Sequence, residues 1–402
     1  MTAKTYGLNT DQVAYNQAIN EYLDRPSEST LNNLKVTHLE SGIEDSSLIN
    51  DIAKRHFAET KVTETSSFKK REVAVQAEME TTVVDVTPTG NCTGLKNLKN
   101  TCWGNSTLQA FVLSNPDIDR LLNIPLDKKE SESGEEFQAR KDFQASLKAL
   151  KDEYTKETPD QTRITTLLTQ VWTSDVLKSS SLRPMDRQED APEFLGLILE
   201  TLDADKHEQI SFEKRSKLVK PSETTHETGG TNQIMIMPIE HTANPTLQTS
   251  INGIFKEEDI DGVDDEKLGR KVTAQKNMYY SSNGSETPTS LTVQLLRFQY
   301  DGIGTKIKTE VKGFDQPIRV PFHDDKGTLV KHGVYQVDSV VIHLGNTLRS
   351  GHYLTLVRTG PDSWEERNDS FVRPVSSEEA HKMMQENGYL VRMTRVREEA
   401  AG

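Results

Sequence analysis

The chain has 402 residues, 48 Lys and Arg against 62 Asp and Glu for a net charge of −14, and two cysteines, Cys92 and Cys102. That length allows two or three domains, or one large one with a packed core, while two cysteines without a CxxC pair exclude a disulfide scaffold and a thiolate zinc site and point to a reducing compartment. The acidic balance argues against non-specific nucleic-acid binding and suits a partner with a basic surface or tail.

Residues 1–90 are polar and weakly patterned. The opening MTAKTYGLNTDQVAYNQ lacks the charged-then-apolar layout of a signal peptide, and no apolar stretch approaches the roughly 20 residues that span a bilayer. Short helices are expected over 11–23 and 47–57, with Ser/Thr/Glu-rich stretches between them. The segment reads as a mobile or loosely helical extension for targeting or regulation.

From Gly94 the character changes. The run 94–109, GLKNLKNTCWGNSTLQ, carries a polar Asn/Thr loop into an amphipathic helix, with Leu108, Phe111 and Val112 on one face and Ser114-Asn115-Pro116 as its end. A charged helix is expected over 131–157, and another over 164–172. Residues 190–202 predict a helix that Asp190 caps with Glu193 three positions on, Pro192 being tolerated in the first turn. Its buried stripe is Phe194, Leu195, Ile198, Leu199 and Leu202. Residues 206–290 are mixed: a basic part, a Thr/Gly-rich part at 223–231 and strand-like runs such as 233–238. They read as a separate β-rich subdomain. The last third is strand-dense, with strands expected at 291–298, 334–344, 352–358 and 389–396. Ser376 and Glu379 open one short helix that stops before Gly388. No internal repeat is found.

A thiol protease needs a thiolate, an imidazole to exchange its proton, a group to orient that imidazole, and donors for an oxyanion. Cys102 stands where a loop meets a helix N-terminus, whose oriented N–H groups favour thiolate over thiol. His352 begins a strand beside Gly351, where its backbone is fixed and its ring can project into a cleft. Asn368 follows one strand and one turn later, and antiparallel pairing of the two segments would bring it to the imidazole. The order Cys, His, Asn is that of the papain-like arrangement. Blander roles exist for each residue. Cys92 reads as an inert buried thiol, and His343, late in an apolar strand, as a hydrogen-bonded structural histidine. Asn368 could be a turn-capping amide and Asp190 simply a helix cap.

With these residues assembled, the stretch 94–397 resembles the ubiquitin-specific proteases. The first box is similar to the family pattern GLxNLGNTCYMNSxLQ, which implies Cys102 as nucleophile and Asn97 as the side-chain oxyanion donor. Residues 187–195, RQEDAPEFL, resemble QQDAxEFL, which implies that Asp190 reaches the basic tail of ubiquitin. Residues 295–298, LLRF, resemble the LKRF strand, and 317–320 the FPxxL step after it. The runs 343–353 and 364–372 resemble the histidine box, implying His352 as base, Asn368 as its orienting residue and Asp369 beside it. Tyr389-Leu390-Val391 stands where the family's last strand ends. Three departures are plain: Lys99 replaces a glycine, Trp103-Gly104 replaces Tyr-Met, and the CxxC pairs that hold zinc in many members are missing.

The resemblance implies an α+β papain-like cysteine protease fold. A polar extension over 1–90 would precede a catalytic domain over 91–402, with a helical thumb at about 91–205, a metal-free or reduced fingers region at about 206–290 and a β-rich palm at about 291–397. The implied activity is deubiquitination, hydrolysis of the isopeptide or peptide bond after ubiquitin's C-terminal Gly through a Cys102 thioester. Aromatics such as Tyr353 would flank a channel too narrow for side chains. No cofactor and no metal are expected. The expected partners are ubiquitin and ubiquitinated proteins, with neither nucleic acid nor a membrane span; oligomeric state is left open. The alternatives are a protease for another ubiquitin-like modifier and a catalytically weak ubiquitin-binding scaffold. The reducing compartment implies the cytoplasm, and an extension on a compact zinc-free domain would also suit an effector delivered into host cytosol.

Overall fold

A computed structural model describes residues 93–401, apart from 241, 282–285, 300–303 and 349. The expectations for 1–90 and for Cys92 lie outside the described residues. The cysteine loop enters α1 (Cys102–Thr107), which runs on as a π-helical segment (Leu108–Leu113). All twelve of these residues are buried, so the expected amphipathic helix is instead enclosed on every side. A π turn disturbs the usual carbonyl partners, and here buried donors from elsewhere take them. Ala110 O accepts from Arg392 Nη1 at 3.0 Å and Ser339 Oγ at 3.4 Å, and Val112 O accepts from Lys151 Nζ at 2.8 Å. Ser114-Asn115-Pro116 ends this element and also starts the next: Asn115 caps α2 (Pro116–Asn123) by accepting from Asp117 N.

The charged stretch forms α3 (Gly134–Tyr154) behind a Ser133/Glu136 capping box, and Asp160 caps α4 (Gln161–Trp172). After α5 (Asp175–Ser179) comes α6 (Ala191–Thr201). Phe143, Leu147, Leu168, Trp172, Phe194 and Ile198 from these helices close around the cysteine helix in one core.

The strands are β1 (Phe212–Val219), β2 (Thr224–Asn232), β3 (Ile234–Pro238), β4 (Glu258–Asp265), β5 (Arg270–Ser281), β6 (Ser290–Leu296), β7 (Ile318–His323), β8 (Leu329–Thr347), β9 (Ser350–Gly360), β10 (Ser363–Asn368), β11 (Phe371–Ser376) and β12 (Gly388–Ala400). Two helices lie among them, α7 (Leu247–Ile254) and α8 (Ser377–Asn387). All twelve strands join one sheet, in the order β11-β10-β9-β8-β7-β5-β1-β2, with β12 on β8 and β6, β3 parallel to β6, and β4 on β5. Alternation along the strands sorts their side chains between two cores. Val341 and Tyr353 join the helical core, whereas Val340, Ile342, Leu354 and Leu356 join a second one with Leu247 and Ile251 of α7 and Met384 of α8.

Residues 206–290 are not a unit of their own. Met235 and Met237 of β3 and three residues of α7 are part of the second core, while β1, β2, β4 and β5 form an arm that continues the sheet. Helix α7 was hidden in a region that reads as strand and loop. Its signal is a capping box made by Thr246 and Thr249, weaker in sequence than one closed by Glu or Gln.

Candidate active site

The loop before Cys102 is closed by its own side chains. Asn97 Oδ1 accepts from Thr101 N at 3.2 Å and from Thr101 Oγ1 at 3.3 Å, and Thr101 Oγ1 accepts from Leu98 N at 3.0 Å. Between them Lys99 and Asn100 are left-handed, with φ of 70° and 46°. Lys99 therefore occupies a conformation that suits the glycine found in the resembling pattern, and a side chain there costs about 1 kcal/mol. The loop delivers Cys102, buried, as the first residue of α1.

Gly104 is required by a neighbour. A β-carbon there would overlap the indole of Trp172. Trp172, Trp103 and Phe194 form a triangle with ring centroids 5.1 to 5.6 Å apart. The Trp-Gly step thus trades one side chain on the cysteine helix for an indole from α4, and the helix stays packed.

Strands β9 and β10 pair antiparallel, Trp364 opposite Arg358 and Arg367 opposite Thr355. This is the pairing expected from the turn between them. It brings Asn368 Oδ1 to 2.6 Å from His352 Nε2. The amide oxygen accepts, so Nε2 carries the hydrogen and Nδ1 is left for the second partner, the thiol of Cys102. Burial alone would lower the His352 pKa, but the hydrogen bond and charge of Cys102, then Asn368 and Asp369, outweigh it and push the imidazole up to about 9. An imidazole held protonated beside the sulfur is the partner a thiol nucleophile needs.

Asp369 follows Asn368 in a left-handed turn, φ 51°. Its carboxylate accepts from Asn97 Nδ2 at 2.9 Å and from Asn105 Nδ2 at 2.7 Å. Its main-chain oxygen accepts from Leu95 N at 2.8 Å and Gln109 Nε2 at 3.2 Å. A side chain at Gly94 would collide with that same carbonyl. Asn105 and Gln109 were not singled out in sequence. Their signal was available: two amides on a helix that is buried on every side must find partners.

Asp190 is at the N-cap of α6, but its side chain makes no capping hydrogen bond, and Glu193 does not reach back to it; Glu193 accepts from Ser181 Oγ at 2.7 Å instead. The expected capping box is therefore absent. Both carboxylate oxygens accept from the Tyr389 hydroxyl, at 2.9 and 3.1 Å. Burial raises the Asp190 pKa to about 7 against the hydrogen bond from Tyr389, with Glu193 and Glu189 adding repulsion. Tyr353 is wholly buried and packs edge-on to His343 at 4.6 Å, so it does not line a surface channel as expected. His343 is also wholly buried, as its place in β8 implied, but it is not a hydrogen-bonded histidine: neither ring nitrogen has a partner. Burial, followed by Lys306 and His352, lowers its pKa to about 3 and keeps it neutral.

Among the described residues, no group of three or more His, Cys, Asp or Glu side chains is placed to hold a metal ion. No helix among them is long and apolar enough to cross a membrane.

Comparison with known proteins agrees with this geometry. The family model described as "Ubiquitin carboxyl-terminal hydrolase" matches residues 93–391. Ubiquitin C-terminal hydrolase 15 of Oryza sativa subsp. japonica is 30% identical over 229 residues, covering 51% of this chain and 22% of the relative. Ubiquitin carboxyl-terminal hydrolase 25 of Arabidopsis thaliana is 26% identical over 338 residues, covering 75% of this chain and 47% of the relative. The chain thus spans less than half the length of either. Among solved structures, the Ubp8-containing SAGA DUB module bound to monoubiquitin aligns with a TM-score of 0.60 at 18% identity, over 82% of this chain and 75% of that one. The same module bound to ubiquitin aldehyde aligns at 0.59 and 20% identity, over 88% and 77%. At that identity the likeness establishes the fold, α+β with helices packed against a mixed sheet.

Proposed function

We propose that this chain, which belongs to the ubiquitin carboxyl-terminal hydrolase family, is a cysteine-type deubiquitinase that cleaves the isopeptide or peptide bond after ubiquitin's C-terminal glycine. The observation that carries this reading is the convergence of Cys102, His352 and Asn368 from a helix start, a strand start and a strand end, with 2.6 Å between the imidazole and the amide.

The Cys102 thiolate attacks the carbonyl carbon of the terminal glycine, and the C=O pair moves to oxygen. Asn97 spends one Nδ2 hydrogen on Asp369 and offers the other to that oxyanion, together with a backbone N–H at the start of α1. As the tetrahedral intermediate collapses, imidazolium His352 gives its proton to the leaving lysine amine, and a thioester remains. Neutral His352 then takes a proton from water, whose oxygen attacks the thioester. The second collapse expels the Cys102 thiolate and frees the carboxylate, restoring the pair. Asn368 keeps the Nε2–H tautomer throughout.

Ubiquitin and ubiquitinated proteins are the partners in this reading. Asp190, half-buried against Tyr389, supplies one negative charge for a basic residue of the tail. In this reading the helices before residue 206 act as thumb, the arm of β1, β2, β4 and β5 as fingers and the rest of the sheet as palm, in the reducing cytoplasm where a free thiol persists. Another ubiquitin-like modifier with a basic tail ending in Gly-Gly is the second substrate candidate.

Ubiquitin carrying a C-terminal electrophile tests the reading. Wild type and Cys92→Ala should each form one covalent adduct, and Cys102→Ala none. Labelling that persists in Cys102→Ala would end the assignment. No labelling of wild type by ubiquitin, with labelling by a related modifier, would move the substrate.

A further inference from the structure

Beyond Phe212, Tyr279 and Tyr280 at its base, the arm made by β1, β2, β4 and β5 has almost no apolar interior. Across residues 216–227 and 258–276 the buried apolar side chains are Val272 and Ala274. Two hairpins so poor in core are marginal by themselves and need a staple. With two cysteines in the whole chain, neither disulfides nor a four-thiolate metal site can provide it.

Two turns meet at the tip. Val219 lies opposite Gln275 on one edge of β5, and Asp265 opposite Arg270 on the other. The turn 220–223 and the turn after Asp265 therefore flank β5 from both sides. Ser222 Oγ crosses between them and donates to Asp265 Oδ1 at 2.6 Å, and Leu268 N donates to the same oxygen at 3.1 Å. Asp265 is 1% exposed, and the bond from Ser222 leads the interactions that hold its carboxyl below the usual range. Glu223 adds ion pairs with Lys220 of its own turn at 3.1 Å and Lys267 of the other turn at 2.7 Å. Lys267 is mostly exposed, so its pair contributes little. The buried, charge-assisted bond is the stronger link.

The arm leads straight to the site. β2 ends at Asn232 and β3 begins at Ile234. Ile236 and Pro238 of β3 lie opposite Gln294 and Leu296 of β6, and Gln294 donates to the Tyr389 hydroxyl that holds Asp190. Ile236 and Leu296 are exposed. A folded modifier with its tail at Asp190 would rest on this apolar pair and meet the arm next.

We propose that Ser222 and Asp265 form a metal-free clasp that fixes the arm, and that the fixed arm positions the folded body of the substrate without touching the chemistry at its tail. The functional half of this inference rests on the deubiquitinase reading above; Ser222 and Asp265 are positioning residues.

Amide hydrogen exchange across 212–232 and 258–281, and steady-state kinetics on two substrates, test it. The substrates are ubiquitin with a C-terminal fluorogenic amide, and a short peptide ending in Gly-Gly with the same amide. In Ser222→Ala and Asp265→Ala the arm should exchange about tenfold faster while the helical core does not change. KM for the ubiquitin substrate should rise about fivefold, corresponding to roughly 1 kcal/mol, with kcat and the peptide's kcat/KM unchanged. The double variant should be no worse than Asp265→Ala alone, since both remove one bond. Unaltered exchange in both single variants overturns the clasp. Faster exchange with an unchanged KM, or equal losses on both substrates, overturns its role in positioning. A wild type that turns over neither substrate sinks the deubiquitinase reading, and the exchange data then still decide the clasp.

Discussion

Asp369 accepts a hydrogen bond from the side-chain amide of Asn97 at 2.9 Å, across 272 positions of sequence. Its second oxygen holds Asn105 and its main-chain oxygen holds Leu95 and Gln109, so a single turn ties the loop before Cys102 to the helix after it. The neighbouring Asn368 serves the imidazole; Asp369 serves the oxyanion side.

Asn97 and Asp369 should then fail alike. Asn97→Ala should lower kcat by about 10²–10³-fold, the usual cost of one oxyanion donor. Asp369→Ala should lower kcat toward the same value with KM little changed, because Asn97 loses the partner that aims it. The two losses should not add in the double variant. An Asp369→Ala enzyme with wild-type kcat would remove the positioning role.

His352, raised above its ordinary 6.5 to about 9, sets the alkaline limb. The interaction with Cys102 that raises it contributes stability that is fully present below 6.5 and lost as pH rises through about 9. Turnover needs the imidazolium for the leaving amine, so kcat/KM should fall over the same window. Asn368→Ala removes one of the bonds that raise the pKa and should move the limb to lower pH. His352→Ala should cost about 10²–10⁴-fold, whereas His343→Ala should act on melting temperature, since that ring is buried, neutral and without polar partners. Reversed effects of the two histidine variants would show the base misassigned.

How much of this was legible beforehand follows from the range of each interaction. Cys102, His352 and Asn368 could be read because each is announced locally: a loop entering a helix, a glycine-flanked strand start, and a turn that forces β9 and β10 to pair. Asp190 could be placed at a helix start by its neighbours, but whether its carboxylate turns to the cap or to Tyr389, 199 residues away, is a tertiary matter. The π segment had no signal for the same reason; its carbonyls are taken by Arg392, Ser339 and Lys151. His343 was rightly read as buried from strand periodicity, yet periodicity says nothing about whether a ring nitrogen finds a partner.

The Gly104–Trp172 contact predicts a stability effect with a specific rescue. Gly104→Ala drives a methyl group into a packed indole, and overpacking of this kind costs about 1–3 kcal/mol. Chemical denaturation should report that loss in Gly104→Ala. Trp172→Leu alone should also destabilise, by leaving a cavity beside Trp103 and Phe194. Combined, the two should be less damaging than their sum, because the smaller side chain gives the methyl room. Strict additivity would mean that the contact does not govern the Trp-Gly step.

Asp190 offers the sharpest separation of function from structure. Its carboxyl, raised from the ordinary 3.8 to about 7 chiefly by burial, is held less readily as an anion in the folded chain than in the unfolded one. By linkage, the folded state loses stability as pH rises from about 3.8 through about 7. Asp190→Asn removes that titration. It removes no capping bond, since the side chain makes none, and an amide oxygen can still accept from Tyr389. The variant should therefore melt at or above the wild-type temperature in mildly alkaline buffer. Its kinetics should move the other way. An arginine of the substrate tail would stabilise the ionised form of Asp190 in the complex, so wild-type KM should fall as pH rises through about 7 and the variant's should stay flat. The difference should shrink in high salt as screening weakens the pairing. Equal KM for the two proteins at low ionic strength and alkaline pH would retire Asp190 as a substrate contact, leaving it as a half-buried acid that supports Tyr389.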